Sequence, residues 1–344
     1  MKVFWNPIQL THAPAFFLVR GQTRPNFEVP ARAEALVAAC RDMGLTINAP
    51  PPVDIAALLA VHEPEYLAFL RDGHAAWSEL PEKGAEIVAN SHPSPEMLAS
   101  GGRMPSGIVG QAGWFTTDAA CPIGPNTWTA AFHAAAGAVA AADEAARGAN
   151  AYALARPPGH HTFRARAGGH CYLNNAAIAA ERLRAKGAER VAVLDIDSHH
   201  GNGTQSIFWD RPDVLFVSVH ADPNRYYPWF TGYASERGGG DGAGCNLNLP
   251  LAIGTGDPGW LEAVDAGVAA ARAFGAEALV VSLGFDASVD EPLNALAVTS
   301  DGFARAGAAI GGLGLPTVIV QEGGYNLDVI GTLLRRFLMA LAEA

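Results

Sequence analysis

The sequence predicts an α/β fold in which a central parallel sheet carries helices on both faces. From about residue 150 onward, short apolar runs of strand type alternate regularly with helical segments, a pattern that implies right-handed crossovers and a parallel sheet. The apolar runs read as strands that are buried on both faces. Polar residues and glycines follow several of these runs, at the edge where open α/β sheets place their chemistry.

The elements can be placed in chain order. Residues 1–5 read as a first strand and residues 6–29 as an irregular connection. Pro30 opens a helix over 31–44, because proline is favoured in the first helical turn and glycine at the helix end. The other predicted helices cover 55–61, 63–72, 126–148, 174–186, 203–209, 258–274, 302–312 and 327–341, and the other strands cover 152–155, 191–196, 214–220, 278–283 and 317–321.

The chain is expected to form a single domain over residues 1–344. It is 49% hydrophobic and 17% charged, as in a globular protein with a large core. Residues 73–125 stand apart as a long insertion, rich in glycine and proline, and such a segment is usually functional or an interaction element. Either an exposed, partner-binding set or a small local core is formed there by Trp77, Met97, Met104 and Trp114.

The charge and the cysteines argue against several classes of function. A net charge of -11 and a pI near 5.4 disfavour nucleic acid and anionic membranes as partners and suit cationic small molecules. Four cysteines without a CxxC pair form neither a disulfide framework nor a zinc-finger pattern. The N-terminus lacks the apolar core of a signal peptide, and no stretch has the ~18 apolar residues of a membrane span. We therefore expect a cytoplasmic protein.

One stretch, RVAVLDIDSHHGNG at 190–203, concentrates polar groups at the end of a strand. Asp195, Asp197 and His199 occupy alternating positions, and side chains two residues apart in an extended chain point to the same face. Two carboxylates and an imidazole therefore converge where the strand ends. Alternatively, the aspartates are ordinary loop acids and His199 caps the next helix.

Three further motifs follow predicted strands. The stiff loop RPPGHH presents His160 and His161, which are natural proton-transfer groups near neutral pH or, alternatively, a pair of structural histidines. GFDASVD places Asp286 just past a strand, and EGGY mounts Tyr325 behind two glycines. Four strands thus deliver polar side chains to one edge of the sheet.

Together these side chains describe metal-assisted hydrolysis of an amide. His160 would be the general base, with Asp195 orienting its ring. Tyr325 would donate its O–H group to the developing oxyanion. A catalytic Zn²⁺ with one position open for water and substrate would be held by Asp197, His199 and Asp286.

The motif set resembles the zinc-dependent deacetylase superfamily, which includes histone deacetylases and bacterial acetylpolyamine amidohydrolases. The resemblance spans nearly the whole chain and rests on the order and spacing of RPPGHH, GGHCYLNN at 168–175, DIDSHHGNG, GFDASVD and EGGY. It implies a single-domain arginase/deacetylase-type α/β fold and the deacylation of an acylated amine.

The resemblance also assigns residues. It implies one zinc ion on Asp197, His199 and Asp286, tandem histidines at His160 and His161, and a carbonyl-polarising Tyr325. A structural potassium ion is implied near Asp195, Asp197, His199, Ser218 and Val219. A second, peripheral potassium ion is implied near Phe208, Arg211 and Val214.

Within the superfamily, the chain looks most like the acetylpolyamine amidohydrolases, because it is short, lacks extra domains and carries the 73–125 insertion. In that branch the insertion supports a homodimer and narrows the entrance. The implied substrates are small acetylated amines such as acetylputrescine and acetylcadaverine; the alternative is a protein or peptide lysine deacetylase. A binuclear manganese ureohydrolase and a non-catalytic sensor of acylated ligands are disfavoured, because the first lacks carboxylates and the second needs no catalytic set.

Several positions depart from the pattern of the superfamily. Asn202 replaces an aspartate that faces the second histidine in some relatives, so His161 is expected to be an accessory hydrogen-bonding group. Phe17 and Val109 stand near the entrance where acidic residues would hold a distal ammonium group, which argues against a polyamine preference. Substrate contacts are expected from Gly169, from His170 on the tunnel wall, and from Tyr226 and Tyr227.

Overall fold

The computed structural model describes residues 1–293 and 295–344 and contains a central eight-stranded sheet. All neighbouring strands of this sheet run parallel, in the order β4-β1-β5-β10-β9-β6-β7-β8. The strands of the whole chain are β1 (Lys2–Phe4), β2 (Phe16–Val19), β3 (Gln22–Pro25), β4 (Thr46–Asn48), β5 (Ala151–Ala153), β6 (Val191–Asp195), β7 (Val214–Ala221), β8 (Asn246–Leu251), β9 (Ala278–Leu283) and β10 (Thr317–Gln321).

Helices cover both faces of this sheet, as predicted. They are α1 (Pro30–Asp42), α2 (Ala56–Leu59), α3 (Pro64–Ser78), α4 (Pro95–Ala99), α5 (Ile108–Trp114), α6 (Thr127–Ala145), α7 (Asn175–Ala185), α8 (Asn202–Phe208), α9 (Asp257–Phe274), α10 (Ser300–Gly311) and α11 (Ile330–Glu343).

Alternate residues of each central strand feed two separate hydrophobic cores. In β6, Val191 and Val193 pack toward the layer that contains α6 and α7. Ala192 and Leu194 pack toward the layer that contains α1, α9, α10 and α11. This double burial explains why the strands read as continuous apolar runs, and it confirms the predicted fold class.

Local signals fixed several helix ends. Pro30 is the first residue of α1, and Gly44 follows that helix with a φ of 70°. Gly275 ends α9 in the left-handed conformation, with a φ of 71°. Both glycines adopt a backbone geometry that other residues reach only with strain.

The structure corrects the interpretation of residues 6–29 as wholly irregular. Pro7–Thr11 forms a 3₁₀ helix, and β2 and β3 form an antiparallel hairpin. The hairpin turns at Arg20 and Gly21, whose φ angles are 50° and 73°. The edge strand β8 was also missed, because its sequence NLNLPL mixes asparagine and proline with the apolar residues.

The 73–125 insertion contains more helix than its sequence suggested. It includes the end of α3 as well as α4 and α5. Trp77 is buried and Trp114 packs against the core, whereas Met97 and Met104 are 60% and 38% exposed. The four residues therefore divide between the two alternatives. Among the helices in the described part of the chain, none is long and apolar enough to cross a bilayer.

Candidate active site

The carboxyl ends of four adjacent strands meet at one edge of the sheet. The strands β5, β10, β9 and β6 are consecutive neighbours in the sheet order. Because they are parallel, the loops that follow them emerge side by side. This edge gathers the predicted residues His160, His161, Asp195, Asp197, His199, Asp286 and Tyr325.

Three side chains form a compact buried set at this edge. Ligand atoms of Asp197, His199 and Asp286 lie within 4.8 Å of one another. The Nδ1 atom of His199 is 3.0 Å from Asp197 Oδ1 and 2.9 Å from Asp286 Oδ2. In the described part of the chain, no lysine or arginine forms an ion pair with either carboxylate. Buried carboxylates require a compensating cation, and one nitrogen with two carboxylates fits Zn²⁺.

Backbone N–H groups fix the orientation of these carboxylates. Ser198 donates to Asp286 Oδ1 at 2.9 Å, and His199 donates to Asp197 Oδ1 at 2.8 Å. Gly323 donates to Asp197 Oδ2 at 2.9 Å. A Cβ atom at Gly323 would collide with the carboxylates of Asp197 and Asp286. Only glycine allows this loop to approach the set so closely.

His160 is paired with a buried carboxylate. Its Nδ1 atom is 2.9 Å from Asp195 Oδ2, and its Nε2 atom is 3.8 Å from Asp197 Oδ1. Burial alone would lower the pKa of His160, but the charges of Asp195 and Asp197 outweigh burial and raise the pKa to about 10. The pair is therefore built to stabilise an imidazolium, which a proton-transfer group requires.

Glu322 supports the loop that carries the two histidines. Its Oε2 atom accepts the N–H groups of Gly159 and His160 at 2.7 and 3.1 Å. Burial raises the pKa of Glu322 to about 7. The sequence contained this glutamate in the EGGY motif, but nothing in the motif showed that it reaches a loop more than 160 residues earlier.

His161 has a different partner. Its Nδ1 atom lies 2.8 Å from Asn202 Oδ1, and its ring centroid lies 4.0 Å from that of His160. Burial lowers the pKa of His161 well below its usual value, and the rings of His160 and His199 lower it further. The amide oxygen can only accept, so His161 carries its proton on Nδ1 and stays neutral.

Tyr325 is mounted on a loop that a buried arginine holds. Gly324 has a φ of 112°. Arg32 donates to the carbonyl oxygens of Glu322 and Gly324 at 2.7 and 2.5 Å, and its guanidinium lies 4.8 Å from the centre of the Tyr325 ring. Arg32 sits in a helix almost 300 residues earlier, and no local signal in the sequence marked it.

A cavity of about 460 Å³ leads to this set of residues. His161, His199 and Tyr325 contribute to its lining, and Tyr226 stacks on His199 with ring centroids 4.6 Å apart. The structure brings all of the predicted substrate contacts to this cavity, namely Gly169, His170, Tyr226 and Tyr227. Additional aromatic walls come from Phe17, Phe27 and Trp229.

His170 keeps an uncharged edge toward this cavity. Burial lowers its pKa to about 4, so the ring is neutral at physiological pH. Its φ of 65° is unusual for a residue other than glycine. The ring lies 5.2 Å from Phe17 and 6.3 Å from Tyr325, measured between centroids. A neutral imidazole in this position does not repel a cationic substrate.

Asp118 is an acidic wall residue that the sequence did not reveal. Its Oδ2 atom accepts the O–H group of Tyr227 at 2.6 Å and the N–H group of Gly169 at 3.2 Å. Of the two entrance positions named from the sequence, Phe17 does line the cavity. Val109 lies on α5, is 41% exposed and is not part of the described lining.

The residues of the predicted potassium site lie close together in the sheet. Ser218 is the register partner of Asp195 on the neighbouring strand. Its hydroxyl group lies 2.9 Å from Nδ1 of His220. At the second predicted location, the carbonyl oxygen of Phe208 accepts the N–H group of Arg211 at 3.0 Å.

Comparisons with known proteins agree with the motifs. The histone deacetylase domain matches residues 26–341. An acetylpolyamine amidohydrolase of Burkholderia pseudomallei is 47% identical over 340 residues, covering 98% of this chain and 97% of the relative. An acetylpolyamine amidohydrolase of Mycoplana ramosa is 42% identical over 327 residues, covering 94% of this chain and 95% of the relative.

The fold agrees equally well with a solved structure. The crystal structure of an acetylpolyamine aminohydrolase from Burkholderia pseudomallei matches with a TM-score of 0.96 and 45% identity, covering 99% of this chain and 98% of that one. The predicted resemblance to the acetylpolyamine amidohydrolase branch is thereby confirmed. By sequence, fold and the residues gathered at its sheet edge, the chain belongs to the histone deacetylase family of amide hydrolases.

Proposed function

We propose that this protein is a zinc-dependent amidohydrolase that removes acetyl groups from small N-acetylated amines such as acetylputrescine and acetylcadaverine. One observation carries the proposal: a cavity of about 460 Å³ ends at His161, His199 and Tyr325, beside a buried set of one imidazole and two carboxylates. The names of the relatives that match almost the whole chain support acetylpolyamines as the substrate class.

The chain supplies the groups that amide hydrolysis needs. When bound by Asp197, His199 and Asp286, a Zn²⁺ ion would supply the Lewis acidity that makes water nucleophilic at neutral pH. Neutral His160 takes a proton from the attacking water and returns it to the leaving amine. Asp195 orients the ring of His160 and stabilises its charged form.

Two further side chains complete the reaction. Tyr325 donates its O–H group to the carbonyl oxygen as negative charge develops there. Neutral His161 keeps its Nδ1–H group on Asn202 and serves as an accessory hydrogen-bonding group. Because the leaving amine needs a proton, His160 serves as both base and acid.

The walls of the cavity favour a slim, cationic substrate. Asp118 contributes a carboxylate beside Tyr227, so the acidic group expected at Phe17 or Val109 comes from another position. Aromatic faces near the mouth can stabilise an ammonium group by cation–π contact. The chain as a whole carries a net charge of -11, which raises the local concentration of cations.

The insertion at 73–125 is proposed to form a homodimer. Its exposed apolar side chains Met97, Leu98, Met104 and Val109 support this assignment. The variant Met97→Glu should shift the protein toward monomers in sedimentation velocity. Met339→Glu, which changes an equally exposed methionine on α11, is the matched control and should leave the oligomer unchanged.

Several properties belong to the same proposal. A structural potassium ion near Asp195 and Ser218 is supported by the pairing of these residues across β6 and β7. The four free cysteines suit a reducing, cytoplasmic location. A single domain over residues 1–344 is supported by the family match over 26–341.

The decisive experiment measures acetate release by the zinc-loaded protein. Acetylputrescine, acetylcadaverine and acetylspermidine are compared with an acetyl-lysine peptide. We expect strong preference for the free amines, because the cavity is walled by aromatic rings and Asp118. Equal or better turnover of the peptide would replace this proposal with a lysine deacetylase, an activity that the 89% exposed Phe230 would suit as a peptide contact.

Two variants test the assigned residues. Tyr325→Phe should retain zinc and lose most turnover, since only the oxyanion donor is removed. Asp286→Ala should lose zinc, as measured by metal analysis. Turnover close to that of the wild type in the first case, or unchanged zinc content in the second, would contradict the assignment.

A further inference from the structure

Glu291 joins the loop after β9 to the loop after β10. It is 4% exposed and lies on the segment that also carries Asp286. Its Oε1 and Oε2 atoms accept the N–H group of Tyr325 at 3.0 and 3.1 Å. The same Oε2 atom accepts the N–H group of Asn326 at 3.3 Å. One buried side chain thus holds the backbone on both sides of the tyrosine peptide.

The contact belongs to a wider connection between the two loops. The side-chain amide of Asn326 donates to the carbonyl oxygen of Asp290 at 2.6 Å. The N–H group of Phe285 donates to the carbonyl oxygen of Gly323 at 3.1 Å. Within these contacts, Glu291 supplies the side chain that acts on Tyr325 directly.

The tyrosine needs such an anchor because two glycines precede it. Gly323 and Gly324 have no side chains that restrict their backbone. Arg32 restrains this loop from one side through the carbonyl oxygen of Gly324 at 2.5 Å. Glu291 restrains it from the other side through N–H groups. The donor and the acceptor contacts together leave the phenol one direction in which to point.

We propose that Glu291 is a positioning residue that holds Tyr325 ready to donate its O–H group to the developing oxyanion. This inference rests on the proposed function, because it takes Tyr325 as that donor. Glu291 is not among the residues that line the described cavity, so it acts through the tyrosine and not on the substrate. Its loss therefore affects the chemical step more than substrate binding.

The test uses Glu291→Gln with full zinc content and two substrates, the acetyl and the trifluoroacetyl amide of the same amine. The trifluoroacetyl carbonyl is more electrophilic and depends less on an oxyanion donor. We expect kcat on the acetyl amide to fall by about 10- to 100-fold with KM nearly unchanged, since misplaced groups cost rates of this order. The loss on the trifluoroacetyl amide should be clearly smaller.

A matched control is available at Glu86. This carboxyl group is also buried, at 8% exposed, and accepts a backbone N–H group from a distant loop, that of Ala15 at 2.7 Å. Glu86→Gln makes the same chemical change away from Tyr325. It should keep the kcat values of both substrates, and their ratio, at the wild-type level.

A double variant separates positioning from general damage. In the Tyr325→Phe background, Glu291→Gln should cause little further loss on the trifluoroacetyl amide, because residues that act as a unit are not additive. An equal loss on both substrates, or the same fold loss in both backgrounds, overturns this inference alone. Near wild-type turnover of Tyr325→Phe overturns the role of the tyrosine and the inference with it.

Discussion

The surroundings of the two adjacent histidines differ mainly in the charge of one neighbour. Both rings are buried, and their centroids are 4.0 Å apart. His160 faces a carboxylate oxygen of Asp195 at 2.9 Å, and His161 faces an amide oxygen of Asn202 at 2.8 Å. The pKa of His160 is raised to about 10, whereas that of His161 is lowered well below its usual value.

This contrast shows how one fold gives two roles to the same kind of side chain. Burial lowers the pKa of both rings. Only His160 has carboxylates close enough to reverse that effect, and His161 instead faces the rings of His160 and His199. A neighbour that can carry charge therefore makes a proton shuttle, whereas a neutral neighbour makes a fixed hydrogen-bonding group.

The largest expected effect comes from removing the metal. Chelation should abolish turnover, and Zn²⁺ should restore it. A cation bound by Asp197 offsets the negative charge that raises the pKa of His160, so this pKa should be lower in the zinc-loaded protein than in the metal-free protein. His161 should stay neutral in both. NMR titration of the ring protons checks the shift, and an unchanged His160 would break the comparison.

Next in size are the alanine variants of the two histidines. His160→Ala should lower kcat by about 10³-fold, within the range for a general acid–base group. His161→Ala should lower kcat by about 10-fold, as for a lost neutral hydrogen bond of roughly 1.5 kcal/mol. Steady-state kinetics at matched zinc content measures both. Equal losses would show that the two rings share the proton transfer.

Asp195→Asn makes the surroundings of His160 resemble those of His161. The carboxylate that raises the pKa is removed, so the pKa of His160 should fall. Because His160 must be neutral to accept a proton, the acidic limb of the kcat/KM profile should move to lower pH. The maximal rate should drop by roughly 10- to 100-fold, since the imidazolium loses its partner. An acidic limb that stays in place would assign that ionisation to another group.

Asn202→Asp makes the opposite change and should have the smallest effect. A carboxylate next to His161 Nδ1 raises the pKa of that ring. We expect an added ionisation on the acidic limb of the pH profile and a change in kcat of no more than about threefold, because an accessory group adds little to proton transfer. Asn202→Ala serves as the control without the new charge and should show no added ionisation.

Sequence patterns were sufficient for the centre of the molecule. The strands β6, β9 and β10 are runs of buried apolar residues, and their predicted bounds differ from the observed ones by one residue at most. The residues of the candidate site follow these strands directly, so their convergence at one edge could be predicted from topology alone.

The periphery and the supporting contacts could not be read in this way. Strand β8 depends on tertiary contacts, since Asn246 and Asn248 donate to Oε1 of Gln205 at 3.0 and 2.8 Å. Arg32 and Glu291 both act on a loop that is distant from them in the chain. No local periodicity marks such a residue, because its partner is chosen by the assembled fold.

The sheet order also constrains how the protein is made. Strand β10 is the last to be synthesised, yet it lies between β5 and β9 in the middle of the sheet. A nascent chain that lacks it has no site for the tyrosine loop and must keep the edges of two buried strands unpaired or mispaired. The enzyme therefore completes its sheet only when almost the entire chain has left the ribosome, and chaperones that shield exposed strand edges would act on it until then.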